Sequence, residues 1–207
     1  MTMKVIGLTG SIAMGKTETA RMFARLGYPV FDADAIVHRL YSKGGKAVRA
    51  VAQIFPEAVV GGAISRERLA TQVMGNPKAL RKLEGIVHPL VHKQERAFLK
   101  AAKAAGHQLA VLDIPLMFEG GRIDDVDEVV VASAPAEVQR ARALERPGMT
   151  PEKFRMMNEF QVADSDKRNR ADFVIDTSRG LEDAFEQVRA IVDKLLLPTP
   201  TKEKADA

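Results

Sequence analysis

The chain has 207 residues, 46% of them apolar and 28% charged, enough for one sizeable soluble domain with its own core. Cysteine is absent, which excludes disulfides, thiolate metal sites and a cysteine nucleophile. The 31 Lys+Arg against 27 Asp+Glu leave a net charge of +4, mixed along the chain, so charge by itself assigns neither a nucleic-acid partner nor a membrane surface.

Lys4–Thr9 reads as a short buried strand. Its apolar run is broken by Gly7 and Gly10 and ended by Lys16, which argues against a signal peptide and makes the cytoplasm the expected location. Lys16–Leu26 has the spacing of a helix, with Met22, Phe23 and Leu26 on one side and Gly27 placed to end it. A second strand in YPVFDAD runs into the helical AIVHRLY. Between Asp34 and Leu109 lie Gly44–Val51, a Gly61-Gly62 turn, and helical stretches at Ser65–Met74 and Asn76–Gly106. Ser65 and Asn76 are expected N-caps, the latter followed by Pro77 at the first helical position. Leu109–Ile114, Val126–Ala132 and Ala171–Asp176 are three more apolar, β-branched runs. Glu137–Arg146 and Pro151–Arg170 form a helical pair turned at Pro147-Gly148, and Glu182–Leu197 is an amphipathic closing helix. Five strands alternating with helices predict an α/β fold with a parallel sheet covered on both faces, carrying a helical insertion. No stretch reaches the length of a membrane span, and residues 198–207 read as a polar tail.

GSIAMGKT at 10–17 matches the phosphate-loop pattern Gly-x4-Gly-Lys-Thr, placed between a strand and a helix. Glycines let such a loop turn successive backbone N–H groups inward at a helix N-terminus whose dipole favours an anion. Lys16 then reaches the β- and γ-phosphates and the Thr17 hydroxyl suits Mg²⁺, so the expected ligand is a nucleoside triphosphate. Asp32 and Asp34 close the second strand, where carboxylates face the ligand crevice of an α/β sheet. For Asp34 two readings stand: it orients or deprotonates an attacking hydroxyl, or it caps the helix AIVHRL. Asp113 ends an apolar strand in the manner of a Mg²⁺-binding carboxylate, the alternative being a loop ion pair. Arg142 and Arg146, one helical turn apart, either close over the triphosphate or form a solvated basic face. The four histidines show no metal-ligand constellation; His88-Pro89 reads as a turn or helix start. Phe154, Met156, Met157 and Phe160 read as core.

Taken together, IGLTGSIAMGKT at 6–17, LGYPVFDADAIVH at 26–38, HPLV at 88–91, LDIPLMFE at 112–119, the Arg142/Arg146 pair, Gln161 and KRNRADFVID at 167–176 resemble the dephospho-coenzyme A kinase family across almost the whole chain. The resemblance implies a P-loop nucleoside-kinase-like three-layer fold with a five-stranded parallel sheet. The core would cover about 1–42, 107–136 and 171–197, a helical substrate-binding insertion about 43–106, and a helical lid about 137–170. It implies ATP-dependent phosphorylation of the ribose 3′-hydroxyl of dephospho-CoA, with ATP and Mg²⁺ as cofactors and no nucleic acid, membrane or obligate protein partner. By the same resemblance Asp34, Lys16 and Arg142 are catalytic. Gly10, Ser11, Ile12, Ala13, Met14, Gly15, Lys16, Thr17, Glu18, Arg142 and Arg146 bind ATP. Asp34, His88, Leu116, Phe118 and Glu119 receive the substrate, and Thr17 and Asp113 hold the metal. The chain departs from the family's usual loop TGGIGSGK[S/T] at Ser11, Ala13 and Met14. Ser11 and Ala13 are therefore expected either to have negative φ or to carry roughly 1 kcal/mol of strain. Thr177 stands where the family commonly has Asn.

Overall fold

A computed structural model describes residues 3–197, so the polar tail expected at 198–207 lies outside the described residues. In chain order the elements are β1 (Lys4–Thr9), α1 (Lys16–Arg25), β2 (Val30–Asp32), α2 (Ala33–Tyr41), α3 (Val48–Ile54), β3 (Val59–Val60), β4 (Ala63–Ile64), α4 (Arg66–Val73) and α5 (Pro77–Ala104). They continue with β5 (Leu109–Asp113), β6 (Glu128–Ser133), α6 (Ala136–Leu144), α7 (Pro151–Glu159), α8 (Asp164–Asn169), β7 (Phe173–Asp176) and α9 (Leu181–Leu196). The five expected strands form one sheet in the order β2-β5-β1-β6-β7. β6 runs parallel to both neighbours, with Leu8 opposite Val130 and Val131 opposite Val174. Every residue of β5 is buried, the pattern of a strand covered on both faces.

The described residues divide into two compact units, residues 3–30, 108–111 and 116–197, and residues 31–107 and 112–115. In the first, Ala184, Val188, Ile191 and Val192 make the apolar stripe of α9 and share one cluster with Ala20, Met22 and Phe23 of α1 and Ile6, Leu8, Val130 and Ile175 of the strands. Full burial of a side chain such as Phe23 or Leu8 is worth about 1.5–3 kcal/mol. Gly27 ends α1 as expected: at φ +88 it donates its N–H to Ala24, while Tyr28 donates to Phe23, a Schellman closure. Three expectations need correction in this unit. Pro151–Arg170 is two helices rather than one, because residues 160–163 leave the helical path and spend their polar groups on partners far away in sequence, described below. α7 buries none of its residues, so Met156, Met157 and Phe160 are exposed, Phe160 to 77%, and are not core. Finally, α6 stops at Leu144, so Arg146 lies past the helix end instead of one turn along from Arg142.

In the second unit, Ser65 Oγ accepts the Arg68 N–H and Asn76 Oδ1 accepts the Ala79 N–H, the two caps expected there. The Gly61-Gly62 turn joins an antiparallel β3–β4 hairpin, with φ of +58 and +80, the left-handed pair that a two-residue hairpin loop needs. Phe31 and Phe98 pack at 5.4 Å between ring centroids. His88-Pro89 is no helix start: Pro89 sits inside α5, a helix of 28 residues. An interior proline lacks the N–H that would bond the Gly85 carbonyl and costs about 3 kcal/mol. Val87, Val91 and Glu95 bury one face on either side of it, and this packing outweighs the local penalty. Among the described residues no helix is long and apolar enough to cross a membrane.

Candidate nucleotide-binding site

The loop between β1 and α1 is held within the first unit by Gln139, Gln161 and Thr177. Its two glycines have different reasons. A Cβ on Gly10 would lie 2.6 Å from the Ala132 carbonyl oxygen, so only glycine lets the loop leave β1 this close to β6. Gly15 has φ +87 and begins α1 without any side-chain cap, and a helix start of this kind is suited to an anion. Of the two residues whose backbone was in question, Ser11 has no positive φ, whereas Ala13 sits at φ +62. A left-handed alanine costs roughly 1–2 kcal/mol, so the loop does carry strain at position 13. Met14 turns its side chain inward, where its Sδ accepts the Ala134 N–H at 3.2 Å.

The Ile12 backbone is gripped from both sides by glutamines. Its N–H donates to Gln161 Oε1 at 3.0 Å, and its carbonyl accepts from Gln139 Nε2 at 2.9 Å. Gln139 Nε2 also reaches Asn158 Oδ1 at 3.3 Å. Next to Gln161, the Val162 N–H donates to Glu119 Oε1 at 2.8 Å, and the same oxygen lies 2.9 Å from Lys167 Nζ. These bonds draw residues 160–163 out of a helix. The Lys167 side chain is 0% exposed and that of Glu119 15% exposed, which makes this a buried ion pair. Partial burial pushes the Glu119 carboxyl up, but the Lys167 ammonium and the N–H groups of Glu119 itself and Val162 outweigh it and hold the group below its usual range.

Thr177, directly after β7, closes the other side of the loop. Its Oγ1 lies 3.0 Å from the Met14 carbonyl and 3.2 Å from that of Ser133. Arg142 of α6 donates to that Oγ1 at 2.9 Å and to the Thr177 carbonyl at 2.7 Å. The neighbouring Asp176 carboxylate accepts from the Ser178 hydroxyl and N–H. These two bonds, against slight desolvation and with help from Arg179 and Arg142, lower its pKa.

The remaining candidates fall as follows. Lys16, Thr17 and Glu18 form the first turn of α1. Leu116 is exposed, and Phe118 is buried with the Arg170 guanidinium 4.9 Å over its ring. Arg146 is exposed past α6. In the second unit, the cap of α2 is Asp32, not Asp34: Asp32 Oδ1 accepts the Ala35 N–H at 2.8 Å. Asp34 stands exposed in the first helical turn, so the capping alternative for it falls away. Asp113 ends β5 and is buried. His88 is exposed on α5, its ring edge-on to His92. Among the described residues no three His, Asp or Glu side chains gather as a protein-only metal cluster, so a cation at this loop would depend on phosphate oxygens as well as on side chains. Sequence reasoning missed Gln139 and Asn158, noted Gln161 and Lys167 only within stretches that resemble the family, and noted Thr177 as a departure from it. Their partners lie 19 to 163 residues away, and no local pattern announces such bonds.

A family model described as Dephospho-CoA kinase matches residues 4–183. Among curated proteins, the chain is 53% identical over 193 residues to a dephospho-CoA kinase of Mesorhizobium japonicum, covering 93% of this chain and 97% of that one. It is 50% identical to a dephospho-CoA kinase of Brucella melitensis, over 93% and 96% of the two chains. Among solved structures, it is similar to a Thermus thermophilus protein with a TM-score of 0.84 at 31% identity, over 96% of this chain and all of that one. A shikimate kinase of Acinetobacter baumannii, with a TM-score of 0.51 at 18% identity over 94% of each chain, shares the fold alone.

Proposed function

The chain belongs to the dephospho-CoA kinase family, and from that we propose that it transfers the γ-phosphoryl group of ATP to the ribose 3′-hydroxyl of dephospho-CoA. The observation that carries the chemistry is the β1–α1 loop. It presents an uncapped helix start after a left-handed glycine, with a lysine and a threonine in the first turn and with its peptides held by Gln139, Gln161 and Thr177. Phosphoryl transfer asks for positioning and charge neutralisation more than for covalent catalysis, and a pre-held loop supplies both.

In this reading the loop from Gly10 to Glu18 binds the triphosphate through its amides, with Lys16 on the β- and γ-phosphates. Asp34 takes or orients the proton of the 3′-hydroxyl, and Arg142, with Arg146 near the tip of the same segment, neutralises charge on the ATP phosphates. Thr17 and Asp113 would hold Mg²⁺ through their side-chain oxygens, and the ion would supply charge neutralisation for the transferred phosphoryl group. His88, Leu116, Phe118 and Glu119 receive the substrate. Exposed Leu116 offers it direct contact, while Glu119, already engaged by Lys167 and Val162, shapes the wall through them. The reaction needs neither nucleic acid, membrane nor a second protein, and we place it in the cytoplasm, where ATP is at hand.

The test is an ADP-release assay with dephospho-CoA beside a panel of nucleoside monophosphates and sugar acids, with the product identified by mass and by the site of phosphorylation. Turnover of dephospho-CoA to the 3′-phosphorylated product is expected. Equal or better turnover of another acceptor would replace the substrate, and ATP binding without any turnover would leave a nucleotide-binding module.

A further inference from the structure

Thr177 has one hydroxyl proton and three polar neighbours. The proton goes to one carbonyl, and Met14 at 3.0 Å is nearer than Ser133 at 3.2 Å. The oxygen lone pairs remain for the Arg142 N–H at 2.9 Å. Accepting from a cation while donating to a carbonyl polarises the hydroxyl in one direction, so each bond strengthens the other. The side chain also lies flat against the loop: a Cβ on Gly15 would meet three of its atoms at 3.0 Å. Thr177 therefore bonds the loop on its carbonyl side at Met14, leaves little room for a side chain on Gly15, and holds a cation from α6.

The hold on Arg142 is a fork. One arm bonds Oγ1 and the other bonds the Thr177 carbonyl at 2.7 Å, which fixes both the position and the plane of the guanidinium. Two of the five N–H donors of a guanidinium are used in this way, and three are left to meet an anion. An unheld arginine would have to surrender about 2 kcal/mol of side-chain freedom each time a nucleotide arrived. A held one has already given it up.

We propose that Thr177 is a positioning residue of the nucleotide site: its hydroxyl fastens the Arg142 guanidinium to the outer side of the phosphate loop and so sets the affinity for the triphosphate. This rests on the reading of the loop as an ATP site. No local feature of the sequence assigns the role, because it joins residues 14, 133, 142 and 177.

The experiment measures ATP binding to the full chain by calorimetry in the absence of dephospho-CoA, for wild type, Thr177→Val, Thr177→Ser, Arg142→Ala and the double variant Thr177→Val/Arg142→Ala. Valine keeps the branched shape against Gly15 and removes only the hydroxyl. It should weaken ATP binding about tenfold, the loss of one charge-assisted hydrogen bond. Serine should stay within about twofold of wild type, since it keeps that bond. In the Arg142→Ala background the valine change should add nothing, because the residue acts through the arginine. Wild-type affinity for Thr177→Val overturns the proposal, as does a serine variant as weak as valine or a tenfold loss that persists without Arg142. A Thr177→Val chain whose thermal transition has collapsed also overturns it, by assigning the hydroxyl to the frame of the fold. A wild-type chain that binds no ATP refutes the reading of the loop itself. ATP binding without turnover of dephospho-CoA refutes only the acceptor and leaves Thr177 open to the same measurement.

Discussion

Replacing Glu119 by Gln removes one negative charge and almost nothing else, which makes it the sharpest probe of the ion pair behind the phosphate loop. Glutamine keeps the size of the side chain and an oxygen for the Val162 N–H, but leaves the Lys167 ammonium, 0% exposed, with no countercharge at 2.9 Å. Two unit charges at that distance attract by about 6 kcal/mol at an effective dielectric of 20, and desolvation of both groups offsets much of this when they are paired. Breaking a buried pair from one side costs about 3–5 kcal/mol, so Glu119→Gln should lower the melting temperature by roughly 6–20 °C for a chain of this size. Lys167→Met should cost less, because the Glu119 carboxylate still keeps some contact with water and its backbone donor. The double variant Glu119→Gln/Lys167→Met should recover most of the loss, since a buried pair can be exchanged for uncharged groups at little net cost. Urea denaturation of the four proteins provides the cycle. The reasoning fails if Glu119→Gln costs under about 1 kcal/mol, or if the double variant is as unstable as the sum of the singles. The same pair fixes a pH dependence. The folded Glu119 pKa is depressed, so its contribution is complete above the unfolded value of about 4.3 and is lost as pH falls through the lower folded value. Acid unfolding of Glu119→Gln should lack that component.

Asp34→Asn should reduce kcat about 10²–10⁴-fold with ATP affinity unchanged, while Asp32→Ala should cost about 1 kcal/mol of stability and spare the chemistry. The reverse assignment would return Asp34 to a structural role. Lys16→Met should weaken ATP binding at least about tenfold in calorimetry without lowering the melting temperature, and wild-type affinity would remove the loop as the phosphate site. Gln161→Leu deprives the Ile12 N–H of its acceptor and should cost about 1–3 kcal/mol while raising KM for ATP; an unchanged KM would separate the lid segment from the loop.

The sheet was legible because its strands are apolar, β-branched runs bounded by turn residues, and the strand runs expected near 4, 109, 126 and 171 fall within two residues of the observed ones. Caps were legible where the polar residue stands directly before a helical pattern, as at Ser65 and Asn76, each of which accepts the N–H three residues on. The α2 cap was ambiguous because two aspartates, 32 and 34, flank the boundary, and only the backbone shows that the helix begins at Ala33. Pro89 misled because local propensity knows nothing of the face that Val87, Val91 and Glu95 bury. The break at 160–163 and the exposure of Phe160 were hidden for a related reason. A helical pattern cannot reveal that Gln161 and Val162 are called away by Ile12 and Glu119. The placement of the Gly10–Thr17 loop between a strand and a helix was plain from its spacing, and what holds it was not.

Gln139 and Gln161 hold the backbone of one and the same residue, Ile12, so the segment running between them is stapled down at both roots while its bend at Pro147-Gly148 stays in solvent. Such a strap can change length or composition at its crest without disturbing its footing. Inserting a short peptide tag or a fluorophore-bearing residue beside Gly148 is then the least intrusive way to label this segment.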